Sequence, residues 1–205
     1  MQITDAIVTR ASIKVFSDEP VPRAIIESCL DMAVWAPNHH LTEPWRFTVI
    51  ADGARHLLVE AITAQAQGLS GLDWAKMEAK ILKERKKIFS APTIIAVYSE
   101  VGKDAKTGKE NLCATAAAVQ NLLLAAHHLG YGAIWRTSDI YDYPTVRQLL
   151  KVSESAIPVA AVYMGTSTQR QVRRQRKPAA TYTTWIDSAA SVDDKASPVQ
   201  SNRHS

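Results

Sequence analysis

The sequence is poor in cysteine and has no long unbroken hydrophobic run. Its 205 residues include two cysteines, Cys29 and Cys113, and both fall on apolar faces of predicted helices. Buried free thiols fit this placement better than a disulfide or a metal pair does. The most apolar stretch, 114–126, is interrupted by Gln120 and Asn121 and is too short to span a bilayer. Since the N-terminus also has no apolar signal core, we expect a soluble cytoplasmic protein.

The excess of positive charge is confined to one short segment near the C-terminus. The net charge is +4, yet residues 169–177 alone carry five basic side chains and no acid. The rest of the chain is therefore about neutral, which argues against a nucleic-acid-binding face. From residue 187 onward the sequence offers little to bury, so we predict a single domain over 1–186 followed by a disordered tail over 187–205.

Hydrophobic periodicity predicts helices that alternate with short strands. The strand with the most β-branched residues, 93–99, is expected to lie at the centre of the sheet. The charged helix 74–89 is expected outside the core, and 101–109 is expected to be a polar loop. The pattern favours an α+β domain with helices flanking a small sheet. The remaining predicted helices are 2–9, a helix opened by Pro22, 54–67, 110–129 and 143–150, and the remaining strands are 45–51, 133–136 and 157–165.

The predicted helix 110–129 is apolar around most of its circumference. A helix of this kind must be buried on nearly all sides, either at the centre of the domain or in a subunit interface. In a chain of 205 residues the interface is the favoured interpretation, so the helix predicts a dimer.

Three side chains that bind anions alternate near the N-terminus. Arg10, Ser12 and Lys14 are two residues apart, so in an extended backbone they face the same side. A guanidinium and a hydroxyl suit a phosphate, and a nearby ammonium suits a second negative group. By itself the triplet is also compatible with a solvated basic strand.

Two further clusters extend this pattern. The segment 35–47 contains two adjacent histidines without a metal-ligand spacing, so a metal site is not expected there. The segment 130–137 places two glycines before Trp135, Arg136 and Thr137, which offer an aromatic face, a cation and a hydroxyl. The glycines permit close approach of a flat ligand, although a packed strand with a salt bridge explains the same residues.

The chain resembles the nitroreductase family of FMN-dependent oxidoreductases, and within it the short branch of NAD(P)H nitroreductases. The resemblance depends on four motifs, which occur along this chain in the same order as in the family. The chain departs from the family at Leu41 and Glu43, where many members carry Asn and Gln. The motifs are Arg10-x-Ser12-x-Lys14, Ala36-Pro37 with Pro44-Trp45-Arg46-Phe47, Gly130-Tyr-Gly-x-x-Trp-Arg-Thr137, and Arg174-x-Arg176-x-Pro178.

The resemblance implies a nitroreductase-like fold with a central, mostly antiparallel sheet. It also implies a homodimer that binds FMN at its interface, with each site built from both subunits. The cofactor-binding residues that it implies are Arg10, Ala11, Ser12, Arg174 and Arg176 around the phosphate, Lys14 toward the ribityl chain or pyrimidine edge, Trp135, Arg136 and Thr137 against the cofactor, and Trp35 and His39 from the partner subunit.

The implied function is NAD(P)H-dependent reduction of nitroaromatic, quinone or similar acceptors. Hydride passes through flavin N5 in a ping-pong cycle, because two flat ligands cannot share one flavin face. Lys14 or Arg136 would stabilise the negative charge that develops near N1 and O2, and no side-chain acid or base is obligatory.

The residues alone leave three alternative functions open. The first is other flavin chemistry, such as dehalogenation or flavin fragmentation, with 69–89 as a lid. The second is an FMN carrier without activity, and the third is a basic nucleic-acid-binding module that uses 170–177.

Overall fold

The computed structural model describes residues 1–68, 73–169 and 175–186. The chain divides into two compact units, Met1–Arg173 and Arg174–Ser205. The first unit contains the sheet and its flanking helices, and the described part of the second contains one short turn of 3-10 helix, Ala179–Tyr182. The single domain expected over 1–186 stays a prediction, and the tail expected over 187–205 lies outside the described residues.

The described elements follow the predicted alternation. No helix in this part of the chain is both long and apolar enough to cross a membrane. Two further turns of 3-10 helix are His39–Leu41 and Asp139–Asp142. The helices are α1 (Ile3–Thr9), α2 (Arg23–Ala33), α3 (Ala54–Gln67), α4 (Trp74–Ile88), α5 (Ala105–His128) and α6 (Pro144–Leu150), and the strands are β1 (Trp45–Ala51), β2 (Thr93–Ser99), β3 (Gly132–Arg136) and β4 (Ile157–Gly165).

The four strands form one antiparallel sheet in the order β1-β2-β4-β3. All seven residues of β2 are buried, as expected for a central strand with β-branched side chains. Its register places Val97 opposite Phe47 of β1 and Ala96 opposite Ala161 of β4. The predicted α+β class and the mostly antiparallel sheet are therefore confirmed.

Helices cover both faces of this sheet. Because side chains alternate along a strand, Ile95 and Val97 pack with α2 and α5, whereas Ile94, Ala96 and Tyr98 pack with α3, α4 and α6. The domain thus has three layers and a hydrophobic cluster on each side of the sheet. Both clusters are needed to bury a sheet whose central strand has no polar face.

The helix α5 begins inside the segment expected to be a loop. The Asp104 side chain accepts a hydrogen bond from the Thr107 N–H at 2.7 Å, which caps the helix and lowers the pKa of that carboxyl. The expected polar loop over 101–109 is therefore wrong from Ala105 onward, because an N-cap signal in a polar stretch starts a helix without hydrophobic residues.

The helix α4 is part of the core, contrary to the prediction that it lies outside. Ile88 is completely buried, Ile81 packs against the same cluster, and Glu84 is only 4% exposed. The charged residues occupy the remaining faces of the helix, so its high charge concealed a narrow buried stripe.

The two cysteines differ in their surroundings. Cys29 is buried as predicted, and burial raises the pKa of its thiol to about 11. The prediction is wrong for Cys113, which is exposed in the single chain. Its neighbours Ala114 and Thr115 on α5 face the sheet, so Cys113 lies on the opposite side of the helix.

The extended segment Arg10–Phe16 runs beside β3 and depends on a glycine there. Ser12 forms a parallel bridge with Ala133, and the Ile13 N–H donates to the Ala133 carbonyl at 3.1 Å. A Cβ on Gly132 would lie 2.9 Å from both γ-carbons of Ile13. The predicted close approach at Gly132 is therefore to Ile13 and not to a flat ligand.

Gly132→Ala is expected to destabilise the protein by about 1–3 kcal/mol, because the added methyl overlaps Ile13 in a packed core. Thermal unfolding monitored by circular dichroism measures the change. Gly53→Ala is the matched control, since Gly53 has φ −62° and a Cβ added there would meet no heavy atom within 4 Å. Equal melting temperatures for the two variants would contradict the packing role of Gly132.

Candidate functional site

A cavity of ≈ 410 Å³ lies where the extended segment meets β3 and α4. Four of the side chains that the sequence analysis assigned to a cofactor site line it, and they come from parts of the chain that are far apart in sequence. We call it the β3 cavity. Its walls are Lys14, Glu84, Lys87, Ile134, Trp135, Arg136, Thr137, Ser138, Tyr141 and Tyr163. The fold thus brings Lys14 together with Trp135, Arg136 and Thr137.

The alternation of the N-terminal segment orients Lys14. Ile13 is 1% exposed and packs inward, whereas its neighbour Lys14 is exposed. The side-chain oxygen of Gln169 accepts the backbone N–H groups of Lys14 and Val15 at 3.0 and 3.2 Å. The segment is therefore fixed between β3 and the residues that follow β4.

The residues before Lys14 lead up to the cavity along the same segment. Arg10, Ala11 and Ser12 are half-buried. Burial and the nearby charge of Arg10 lower the pKa of His127, whose Nε2 lies 2.8 Å from the Thr9 hydroxyl. Arg10 thus lies near the end of α5, and its predicted contact with a phosphate stays a prediction.

The β3 side chains are held by contacts across the sheet. The Trp135 indole N–H donates to the Val159 carbonyl at 3.1 Å. The Arg136 guanidinium carbon lies 4.8 Å from the centroid of the Tyr163 ring. Arg136 Nε is buried and has no hydrogen-bond partner among the described residues. An unpaired donor beside a cavity fits a bound ligand that supplies an acceptor.

The wall from α4 was not predicted. Glu84 Oε1 accepts from Lys87 Nζ at 2.5 Å, and the two residues are one helical turn apart. Glu84 Oε2 is buried and unpaired within the described part of the chain. A search for charged residues three apart on a helix would find this pair, but nothing in the sequence says that α4 borders the site.

A second ion pair ties α4 to the turn that follows β3. Lys80 Nζ binds Asp139 Oδ2 at 2.5 Å and the Tyr143 hydroxyl at 2.8 Å. The hydrogen bond with Lys80 lowers the pKa of Asp139, so the carboxylate is charged and the pair is present at neutral pH. The α4 wall is thus connected to the segment that carries Thr137 and Ser138.

Tyrosines form the inner end of the cavity. The Tyr98 hydroxyl donates to the Tyr141 carbonyl at 2.7 Å, and the hydroxyls of Tyr141 and Tyr163 lie 3.5 Å apart. Burial raises the pKa of all three phenols, so they are neutral near pH 7. Tyr141 and Tyr163, which line the cavity, therefore add hydrogen-bonding groups to it but no charge.

Trp35 and His39 do not line the β3 cavity of their own chain. Trp35 follows α2 and is 85% exposed, and His39 begins an exposed turn. The next residue, His40, lines a separate cavity of ≈ 580 Å³ that opens at the start of α5. The contribution of Trp35 and His39 to a partner's site stays a prediction.

The two C-terminal arginines cannot be placed beside this cavity. Arg174 lies outside the described residues. Arg176 is exposed and belongs to the second unit, Arg174–Ser205. Their predicted contacts with a phosphate stay predictions.

Comparison with known proteins agrees with this geometry. The sequence pattern of the Nitroreductase family matches residues 7–166. A Bacillus subtilis protein with the name "Putative NAD(P)H nitroreductase YfhC" is 28% identical over 177 residues, which cover 86% of this chain and 90% of that protein.

Solved structures show the same fold. A nitroreductase-like family protein from Bacillus cereus superposes with a TM-score of 0.79 at 26% identity, covering 92% of this chain and 97% of that one. A protein from Desulfovibrio desulfuricans with the description "putative nitroreductase", solved in complex with FMN, gives a TM-score of 0.65 at 26% identity, covering 91% of this chain and 97% of that one. Since the family pattern spans all four strands and the cavity, the chain belongs to the nitroreductase family.

Proposed function

We propose that this protein is an FMN-dependent NAD(P)H oxidoreductase that reduces nitroaromatic, quinone or similar acceptors. The observation that carries the proposal is the β3 cavity, in which Lys14 meets Trp135, Arg136 and Thr137. Membership of an oxidoreductase family and the similarity to a protein solved with FMN support the same cofactor.

The residues of the cavity fit a flavin. A flavin ring presents acceptor atoms along its pyrimidine edge, and Arg136 Nε is a buried donor without a partner among the described residues. Lys14 adds an ammonium on the same cavity, and Trp135 adds an aromatic surface. A site of this composition binds a flat ligand that carries acceptors and develops negative charge.

Bound FMN would supply the hydride-transfer chemistry that links oxidation of NAD(P)H to reduction of the acceptor. The role of the protein is to bind and orient the ligands and to stabilise charge. Lys14 and Arg136 supply fixed positive charge where negative charge develops during the reaction. The hydrogen bond from Trp135 to Val159 holds the β3 backbone and indole in place. No side chain is required to transfer a proton in this account.

The proposal includes a cytoplasmic homodimer. Several large apolar side chains on α1, at the end of α2 or just after it, and on α5 are exposed in the single chain, and α5 packs beside both other helices. Exposed apolar side chains on neighbouring helices are typical of a subunit interface. The exposed residues are Ile3, Ile7, Val8, Met32, Val34, Trp35 and Leu112.

The absorbance spectrum of the purified protein tests the proposed function. We expect a yellow protein, or one that turns yellow with added FMN, whose flavin absorbance bleaches when NADH or NADPH is added without oxygen. The acceptor then restores the colour. A protein that binds no FMN would overturn the proposal, and one that binds FMN but is not bleached would indicate a carrier.

Lys14→Ala is expected to slow flavin reduction by NAD(P)H more than it weakens FMN binding, because the ammonium stabilises charge that develops only during hydride transfer. Removing one such group costs on the order of tenfold or more in rate. Stopped-flow reduction and FMN titration measure the two effects. Equal losses in rate and in affinity would show that Lys14 only binds the cofactor, and Lys83→Ala on the exposed face of α4 is the control.

Cys113 reports on the proposed dimer. Its thiol is exposed in the single chain, so we expect it to be protected from Ellman's reagent in the dimer and reactive in the monomer. Cys29 is expected to stay unreactive in both, since it is buried. The labelling is followed over a dilution series with size-exclusion chromatography in parallel. Fast labelling of Cys113 at concentrations where the protein is dimeric would place the interface elsewhere.

A further inference from the structure

Among the described residues, three cations and one acid line the β3 cavity: Lys14, Lys87, Arg136 and Glu84. Lys14 and Arg136 have roles toward the cofactor in the proposed function. Lys87 lies on α4, on the wall that the sequence did not predict, and no role in the proposed function accounts for it.

Glu84 holds the Lys87 ammonium in place by occupying one of its three N–H donors. Its Oε1 is occupied by Lys87 Nζ, and its Oε2 is buried. The Glu84 side chain is 6% exposed and that of Lys87 is 31% exposed, so the ammonium is the accessible end of the pair. The long side chain of Lys87 is thereby anchored at one point, which lowers the entropy that a ligand would have to remove.

We propose that Lys87, anchored by Glu84, is an anion subsite that binds the negatively charged group of the ligand lying against FMN. This inference rests on the proposed function and extends it to the class of ligand. The anion can come from either of two sources: the carboxylate of an aromatic acceptor or a phosphate of NAD(P)H. In both cases a ligand with the charge binds more tightly than an isosteric neutral ligand.

Binding of unreactive ligands to the FMN-loaded, oxidised protein is the first test. Benzoate and benzamide have the same shape and differ in charge, and their binding is followed by the shift in flavin absorbance. We expect benzoate to bind more tightly, and Lys87→Gln to weaken benzoate roughly tenfold, the effect of one charge-assisted hydrogen bond, while benzamide is unaffected. Added salt should weaken benzoate binding to the wild type.

Two variants serve as controls. Lys83→Gln removes an exposed lysine of the same helix that does not line the cavity, and it should bind benzoate like the wild type. Lys87→Arg keeps the charge and should retain the preference for benzoate. Glutamine at position 87 can still donate to Glu84, so its carboxylate is not left unpaired. If Lys87→Gln nevertheless fails to fold, the double variant Glu84→Gln/Lys87→Gln carries the same test.

The two half-reactions identify the source of the anion. A loss confined to reoxidation by 4-nitrobenzoate, with 4-nitrobenzamide unaffected, assigns the subsite to the acceptor. A loss confined to reduction by NADPH or NADH assigns it to a phosphate of the cosubstrate. Equal benzoate affinity in Lys87→Gln and Lys83→Gln, together with a change in neither half-reaction, would overturn the inference. Failure to bind FMN would instead overturn the proposed function itself.

Discussion

The site depends on the contact between Ile13 and Gly132. The extended segment that carries Lys14 can reach β3 only because residue 132 has no side chain, since the γ-carbons of Ile13 occupy the place of a Cβ. Once Ile13 is buried there, the pleat of the backbone turns Lys14 outward to the cavity. Two hydrogen bonds to Gln169 then fix the segment from its other side. A packing constraint in the core therefore determines where a functional charge lies on the surface.

One side of the cavity is the N-terminal segment fixed in this way, and another side is a helix from a different layer of the domain. The helix α4 contributes Glu84 and Lys87, and Lys80 ties the same helix to Asp139 after β3. Asp139 pairs with Lys80 and Glu84 Oε1 pairs with Lys87, while the ammonium of Lys87 lines the cavity together with Lys14 and Arg136. Buried neutral phenols complete the inner end without adding charge. The resulting surface favours a flat ligand with negative charge, which is the character required of both a flavin and its anionic partners.

The sequence predicted the parts of this arrangement that follow from local periodicity. The β-branched residues in Thr93–Ser99 predicted the central strand, which the structure confirms, whereas the convergence of Arg10, Ser12 and Lys14 on one ligand stays a prediction. The α4 wall was not predictable in this way, because its buried stripe of Ile81, Glu84 and Ile88 is narrow and one member is an acid. Periodicity also does not reveal pairing between residues far apart in the chain, and it is the bridge between Ser12 and Ala133 that brings Lys14 to Arg136. The order of the motifs, through the resemblance to the family, predicted that Lys14 and Arg136 belong to one site.

The segment between α2 and β1 has a strained backbone. His40, Leu41 and Glu43 have φ values of 57°, 52° and 43°, which are unfavourable for residues with a Cβ. Leu41 is the most unusual of them, because it lacks the short polar side chain with which asparagine tolerates this region. The strain persists because the segment is held at both ends: Asn38 accepts the Glu43 N–H at 3.1 Å, and the Thr42 hydroxyl donates to Asn111 of α5 at 3.0 Å.

Asn111 is itself buried and donates to the Glu100 carbonyl at 3.3 Å, so the anchor of the strained segment is part of the core. The hydrogen bonds within the chain leave Trp35 and Leu41 almost fully exposed. They hold these side chains outward in a fixed geometry, which is the property that an interface contributing residues to a partner's site requires. The exposed indole therefore suits the proposed homodimer, in which Trp35 and His39 of one subunit would complete the FMN site of the other.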